Sequence, residues 1–199
     1  QSGIFSGRSG LIQLPTSAGK TRSIEIIIRS AFLSGRAKLS VVIAPFRALC
    51  HEISSSLGEA FAGETINVTE LTDVFQADFL SEIEDWESKN TILVVTPEKL
   101  LYTLRQSPEL TQNIDLLILD EGHLFDSGTR GVTFELLVTS LKSVLQEKTQ
   151  VILISAVITN SESINSWLNN GEGVVVKGNA ILPNHRTLGF TSWRTPLGQ

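Results

Sequence analysis

The chain has 199 residues, of which 41% are hydrophobic and 19% are charged, and its formal net charge is −5. This length suits one domain with a substantial core, the single Cys50 excludes an internal disulfide framework, and no apolar run approaches the roughly 20 residues that span a bilayer. The acidic balance excludes polyanion binding through a global positive field, but not through a local groove. We therefore expect a globular cytoplasmic domain with no membrane partner.

Strands and helices are predicted to alternate along the chain. The predicted strands are Gly10–Leu14, Leu39–Ala44, Ile66–Leu71, Thr91–Val95, Leu116–Leu119, Val151–Ile154 and Val174–Val176. The predicted helices are Lys20–Leu33, Phe46–Leu57, Ala77–Glu87, Glu98–Arg105, Gly131–Leu145 and Ser161–Leu168. This alternation is typical of an α/β fold with a doubly wound, mostly parallel sheet and helices on both faces.

The segment Leu14–Thr21 reads LPTSAGKT and lies between the first predicted strand and the first predicted helix. Backbone amides at such a helix start form a nest for phosphate oxygens, and Gly19 lets the main chain approach them. Lys20 supplies a point charge, and the hydroxyl of Thr21 is placed to hold Mg²⁺. The candidate nucleotide-binding residues are Thr16, Ser17, Ala18, Gly19, Lys20, Thr21 and Arg22. Because Leu14 stands where the commonest phosphate-loop pattern has glycine, an ordinary strand-to-helix turn is the alternative.

A second motif, DEGH, begins at Asp120 directly after the apolar run Leu116–Leu119. A buried parallel strand would deliver both acids to its carboxyl end, where ligands of open α/β sheets bind. Asp120 could hold Mg²⁺, and Glu121 could polarise an attacking water. Taken alone, the acids could equally cap the next helix.

Three shorter strings also occur along the chain. They are Ala44–Cys50 (APFRALC), Thr96–Leu100 (TPEKL) and Ser155–Val157 (SAV). With the loop and the acidic motif, they resemble the first RecA-like domain of a superfamily 2 helicase of the DExH-box type. The tract with Arg130, Gly131 and Glu135 is most similar to the Ski-like branch. The resemblance covers nearly the whole chain.

The resemblance implies a RecA-like P-loop domain that binds ATP with Mg²⁺ and uses Lys20, Asp120 and Glu121 in catalysis, with Thr21 and Asp120 as the metal ligands. It also implies that His123, Ser155 and Ala156 couple hydrolysis to movement along nucleic acid. Val157 stands where the family usually has Thr, so a hydroxyl associated with coupling is missing.

Four residues are candidates for contact with nucleic acid by the same resemblance: Arg47, Thr96, Pro97 and Glu98. Arg47 could instead be a solvated arginine at a helix start. Thr96 and Pro97 have a sufficient structural role as the N-cap and first position of a helix. Both roles can hold together.

We expect residues 1–190 to form the RecA-like domain and residues 191–199 to begin a linker to a second RecA-like domain, which in related motors supplies an arginine finger. The expected function is the ATP-binding motor domain of a DNA or RNA helicase or translocase that acts on a single strand, with a slight preference for DNA. The alternative is a helicase-derived switch that binds nucleotide or nucleic acid without unwinding. A P-loop ATPase that acts on proteins or small molecules is disfavoured, because TPEKL and SAV occur in the order that they have in the helicase family.

Overall fold

The computed structural model describes residues 3–15, 19–71, 89–122, 128–156, 158 and 160–178. Its strands are β1 Gly10–Gln13, β2 Leu39–Ile43, β3 Ile66–Glu70, β4 Asn90–Val95, β5 Leu116–Leu119, β6 Gln150–Ser155 and β7 Val174–Lys177. Its helices are α1 Lys20–Leu33, α2 Arg47–Ala60, α3 Pro97–Gln106, α4 Leu110–Asn113, α5 Gly128–Val144 and α6 Ser161–Leu168, with a 3₁₀ turn at Ile4–Ser6.

The seven strands form one sheet in the order β3-β4-β2-β5-β6-β1-β7. Every recorded strand pair is parallel. Parallel neighbours need crossover connections, which the intervening helices supply. The predicted doubly wound sheet is confirmed.

Successive side chains of the strands point to opposite faces of the sheet, and each face carries its own apolar core. In β5, Ile118 packs with Ile24 and Ile28 of α1 on one face, whereas Leu117 packs with Leu100 of α3 and Phe134 of α5 on the other. The strands read as nearly continuous apolar runs because helices cover both faces.

Three helices differ from the sequence prediction. Helix α2 continues through Gly58 to Ala60 instead of ending at Leu57, because the buried Leu57 and Phe61 hold both sides of the glycine against the core. Helix α5 begins at Gly128, three residues before the predicted start, and the short α4 was not predicted. The predicted helix Ala77–Glu87 lies outside the described residues.

The carboxyl ends of all seven strands meet at one edge of the sheet, which is where open α/β sheets bind ligands. Within the part of the chain that the structure describes, no helix is long and apolar enough to cross a bilayer.

Candidate functional site

Helix α1 begins at the phosphate-loop candidate. Its N-cap is Gly19, whose backbone is left-handed at φ 83°, and Ser23 N–H donates to the Gly19 carbonyl at 2.9 Å. A side chain at this φ would be strained, so glycine suits the turn that starts the helix. Lys20 and Thr21 then occupy the first turn, next to amides that have no partner within the helix. Thr16, Ser17 and Ala18 lie outside the described residues, so their role stays a prediction.

The two acids of the DEGH motif follow β5 and meet Lys20. The Asp120 amide donates to the Ile43 carbonyl at 2.9 Å, and the Glu121 amide donates to Asp120 Oδ1 at 2.9 Å. Lys20 Nζ donates to Glu121 Oε1 and lies 4.0 Å from Asp120 Oδ1. These three residues, which we call the Lys20 cluster, join groups 101 positions apart in the sequence.

The backbone of the acidic motif is specialised. Glu121 has φ 58°, a left-handed conformation that is uncommon for a residue with a side chain and that concentrates at functional sites. At the next position, a Cβ on Gly122 would lie 2.7 Å from Leu153 Cδ1 of β6. A glycine there lets the chain leave β5 closely packed against β6, which sets where the two carboxylates stand.

Strand β6 lies between β1 and β5 and carries Ser155 at its carboxyl end. Ser155 is fully buried, its carbonyl accepts from Leu14 N–H at 2.9 Å, and its hydroxyl has no hydrogen-bond partner among the described residues. Ala156 follows at the end of the strand, half-buried. The proposed coupling residues Ser155 and Ala156 are thus placed between the loop and the acids, whereas His123 and Val157 lie outside the described residues.

The Lys20 cluster, together with Thr21 in the first turn of α1, fits a nucleotide with its divalent cation. Asp120 contributes a carboxylate and Thr21 a hydroxyl, and Mg²⁺ prefers such oxygen ligands. The Lys20 ammonium is the group for phosphate oxygens. Arg22 lies apart from the cluster: its exposed guanidinium pairs with Glu25 along α1, so the structure does not bring it to the acids.

The four nucleic-acid candidates meet at the other half of the same edge. A groove of about 450 Å³ lies between the starts of α2 and α3 and the end of β3. We call it the α2–α3 groove; its lining includes Phe46, Arg47, Glu70, Thr96, Glu98 and Lys99. Pro97 is buried in the first turn of α3, behind the lining.

Thr96 is the N-cap of α3, and its hydroxyl accepts from Lys99 N–H at 3.4 Å. Pro97 occupies the first helical position. The structural role of these two residues is confirmed, whereas their contact with nucleic acid stays a prediction.

Cys50 lies at the floor of the groove, 2% exposed, with its thiol donating to the Ala44 carbonyl at 3.7 Å. Burial, with smaller contributions from the carboxylates of Glu70 and Glu98, raises the pKa of this thiol to about 11. Glu70 also accepts from the exposed His51 ring at 3.1 Å. The groove therefore has carboxylates facing its floor as well as basic groups.

Sequence reasoning missed Phe46, Glu70 and Lys99 as groove residues. Glu70 could have been found from its place at the end of a parallel strand. Phe46 and Lys99 had no separate signal, because only the sheet order β3-β4-β2 brings the three segments side by side.

The DEAD/DEAH box helicase family model matches residues 2–164, and the chain belongs to this family. The chain is 34% identical over 163 residues to the Hachiman protein HamB of Bacillus cereus, a match that covers 81% of this chain and 14% of that protein. It is 30% identical over 204 residues to the ATP-dependent DNA helicase Hel308 of Pyrococcus horikoshii, a match that covers 96% of this chain and 27% of that protein.

The crystal structure of the Pyrococcus furiosus Hef helicase domain has the same fold, with a TM-score of 0.68 at 19% identity over 87% of this chain and 35% of that chain. The resemblance to the first RecA-like domain of a DExH-box helicase is thereby confirmed. Family membership implies that the chain binds ATP. The chain spans well under two thirds of the length of these curated relatives.

Proposed function

We propose that this chain is the ATP-binding motor domain of an ATP-dependent helicase or translocase that acts on single-stranded nucleic acid. The observation that carries the proposal is the Lys20 cluster, in which a helix-start lysine and two strand-end carboxylates converge from distant parts of the sequence. Residues 1–190 would form this domain, and residues 191–199 would begin the linker to a second RecA-like domain.

The residues of the Lys20 cluster and those at the start of α1 have distinct roles in the proposal. Lys20 binds the β and γ phosphates, and Thr21 and Asp120 hold Mg²⁺, which when bound neutralises phosphate charge. Glu121 accepts a proton from the attacking water on its carboxylate. The amides near Gly19 bind phosphate oxygens at the start of α1.

The contact between Lys20 and Glu121 has a consequence for the order of events. While the ammonium donates to the Glu121 carboxylate, Oε1 of that carboxylate is engaged and does not face a water. Phosphate binding draws Lys20 toward the nucleotide and releases the base. Nucleotide binding and base activation are thereby linked through one side chain.

The α2–α3 groove is proposed to hold the strand, with the exposed Arg47 on its phosphates and the Thr96 and Glu98 segment along its side. DNA is the favoured polymer, because Hel308 is named a DNA helicase. Arginine from a second RecA-like domain would complete the γ-phosphate site.

The test is ATP hydrolysis by the full-length protein, measured with single-stranded DNA, with single-stranded RNA and without either, followed by a strand-displacement assay. We expect stimulation by a single strand, larger with DNA, and its loss in the Glu121→Gln variant. Absence of stimulated hydrolysis with both polymers would overturn the proposal. Stimulated hydrolysis without displacement would limit it to a translocase, and nucleotide binding without hydrolysis would support the switch module.

A further inference from the structure

Helix α1 carries a buried carboxylate that has no part in the proposed chemistry. Within the described ranges, Glu25 and Asp120 are the two charged residues that are buried, and Asp120 belongs to the Lys20 cluster. A buried charge is costly unless it is paired, and both oxygens of Glu25 are engaged. Oε2 accepts from Arg22 in the first turn of α1, and Oε1 accepts from Arg29 Nη2 at 3.4 Å.

The Arg29 guanidinium extends from α1 to the carboxyl end of α2. It donates to the Ala60 carbonyl at 2.9 Å and to Glu64 Oε1, and it lies 4.4 Å from the centre of the Phe61 ring. Ala60 is the last residue of α2, and the last turn of α2 has no basic residue. Because the last carbonyls of a helix lack partners within it and favour a nearby cation, Arg29 supplies from α1 what the sequence of α2 does not.

These contacts of Arg29 are better suited to fixing a geometry than to adding stability. An ion pair with a buried partner gains little net stability, because lost hydration offsets most of the attraction. A planar guanidinium has its donors in fixed directions, and this one has three oxygens at its edge and a ring near its face. The guanidinium therefore favours one position of α1 relative to α2.

The two helices start at the two candidate sites. Helix α1 starts with Lys20 and Thr21 at the nucleotide site, and α2 starts with Arg47 at the α2–α3 groove. Both helices pack on the same face of the sheet, where Ile28 of α1 and Leu57 of α2 belong to one apolar core. Packed helices shift as units, by about 1–2 Å in switching proteins. A contact that ties α1 to α2 can therefore transmit a shift from one site to the other.

We propose that Arg29 is a positioning residue that couples nucleotide binding at the start of α1 to strand binding at the start of α2. This inference rests on the proposed function, since it requires both ligands. Nucleotide binding shifts α1, and Arg29, held between Glu25 and Glu64, carries the shift to α2 and so to the groove. By linkage, the strand changes the affinity for nucleotide by the same factor.

The experiment measures the affinity of the full-length protein for oligo-dT by fluorescence anisotropy, without nucleotide and with saturating Mg²⁺ and AMP-PNP, a nonhydrolysable ATP analogue. The ratio of the two affinities is the coupling factor, which we expect to be roughly 5- to 150-fold in the wild type. Arg29→Met keeps the apolar stem but removes the guanidinium. It should lower the coupling factor by roughly 2- to 30-fold and retain the affinity for the strand without nucleotide. Arg29→Lys keeps the charge but not the fork of donors, so it should keep part of the coupling factor.

Arg36→Met is the matched control. Arg36 also joins α1 to neighbouring segments, since its guanidinium donates to Gln150 Oε1 of β6 and to the Phe5 carbonyl of the 3₁₀ turn, each at 3.0 Å. These partners do not belong to α2, so Arg36→Met should leave the coupling factor at its wild-type value. Urea denaturation measures the loss of stability in each variant, against which the change in coupling is compared.

A second variant tests the same contact from the side of α2. Glu64→Gln keeps Arg29 but removes the carboxylate that it pairs with after α2, so the coupling factor should fall here as well. The double variant should fall no further than Arg29→Met alone, because the two residues act through one contact.

The outcomes separate this inference from the proposed function. If the wild type fails to bind either a strand or a nucleotide, the proposed function fails. If it binds both but shows no coupling, or if Arg29→Met keeps the wild-type coupling factor, the inference alone is refuted. An equal fall for Arg29→Met and Arg36→Met refutes it too, because the effect would then follow from lost stability and not from the tie between α1 and α2.

Discussion

The Lys20 cluster and the α2–α3 groove lie at the same edge of one parallel sheet, yet their side chains are held in opposite ways. In the cluster, the charged side chains contact one another and are mostly buried: Lys20 is 15% exposed, Asp120 7% and Glu121 19%. In the groove, Arg47 and Glu98 are exposed, and the Thr96 hydroxyl in the lining bonds to backbone.

The difference follows from what each region must do. Buried charges interact strongly and respond when a ligand takes one partner away, which suits proton transfer and phosphate binding. Exposed groups interact weakly with one another and stay available to a long, variable polymer. Substitutions in the cluster should therefore change catalysis, and substitutions in the groove should change affinity.

The sharpest test of this comparison is Glu121→Gln. The variant keeps the shape of the side chain and the Asp120 ligand but removes the carboxylate that accepts a proton. We expect single-strand-stimulated turnover to fall by about 10²- to 10⁴-fold while ATP affinity is retained, measured by steady-state hydrolysis and by equilibrium nucleotide binding.

The control for that variant is Glu162→Gln, which alters an exposed glutamate outside the cluster. The Glu162 carboxylate pairs with Lys177 Nζ at 2.6 Å. It should hydrolyse ATP at the wild-type rate. A comparable loss of affinity and turnover in Glu121→Gln would instead make Glu121 a binding residue.

Lys20→Ala tests whether the cluster also binds the nucleotide. Loss of a hydrogen bond to a charged group costs about 1.5–3 kcal/mol, so ATP affinity should fall by roughly 10- to 100-fold and hydrolysis should be abolished. Lys148→Ala is the matched control, because Lys148 is an exposed lysine in a 3.5 Å pair with Asp115 and such pairs contribute little. Wild-type hydrolysis in Lys20→Ala would show that the phosphate-loop assignment is wrong.

Gly122→Ala tests whether packing of β5 on β6 sets the position of the acids. The added methyl would lie 2.7 Å from Leu153 Cδ1, and overpacking of this kind costs about 1–3 kcal/mol. The free energy of unfolding, from urea denaturation, should fall by that amount, and hydrolysis should fall with it as Asp120 and Glu121 move.

Gly58→Ala is the control, a glycine near the end of α2. Gly58 lies inside α2, and its added methyl would meet nothing within 4 Å. Because alanine favours a helix over glycine, this variant should gain about 0.5–1 kcal/mol. If both variants shift the free energy of unfolding alike, the close contact of Gly122 with Leu153 is not what positions the acids.

The same two regions show how far sequence reasoning reaches. Asp120 and Glu121 could be assigned because they directly follow an apolar strand, and Lys20 because it starts the helix after another. The carboxyl end of a parallel strand is a ligand position whatever the strand order. The contact between Lys20 and Glu121 could not be derived, because it depends on β6 lying between β1 and β5. The groove was still harder to predict from the sequence. Glu70 and Phe46 lie beside the Thr96 segment only because β3, β4 and β2 are neighbours in the sheet.

Substitutions of Thr96 have the smallest expected effect. They separate a role in stability from a role in strand binding, because Thr96 caps α3 and also lines the groove. Thr96→Ala removes the cap, so the free energy of unfolding should fall by about 0.5–2 kcal/mol in urea denaturation. Thr96→Asp caps a helix at least as well, so it should restore stability while it places a negative charge in the groove. If the groove holds a strand, Thr96→Asp should bind single-stranded DNA more weakly than the less stable Thr96→Ala, measured by anisotropy at low salt, where charge repulsion is largest. Equal binding by the two variants would mean that Thr96 serves the fold alone, and the groove would then have to hold the strand through residues other than the cap of α3.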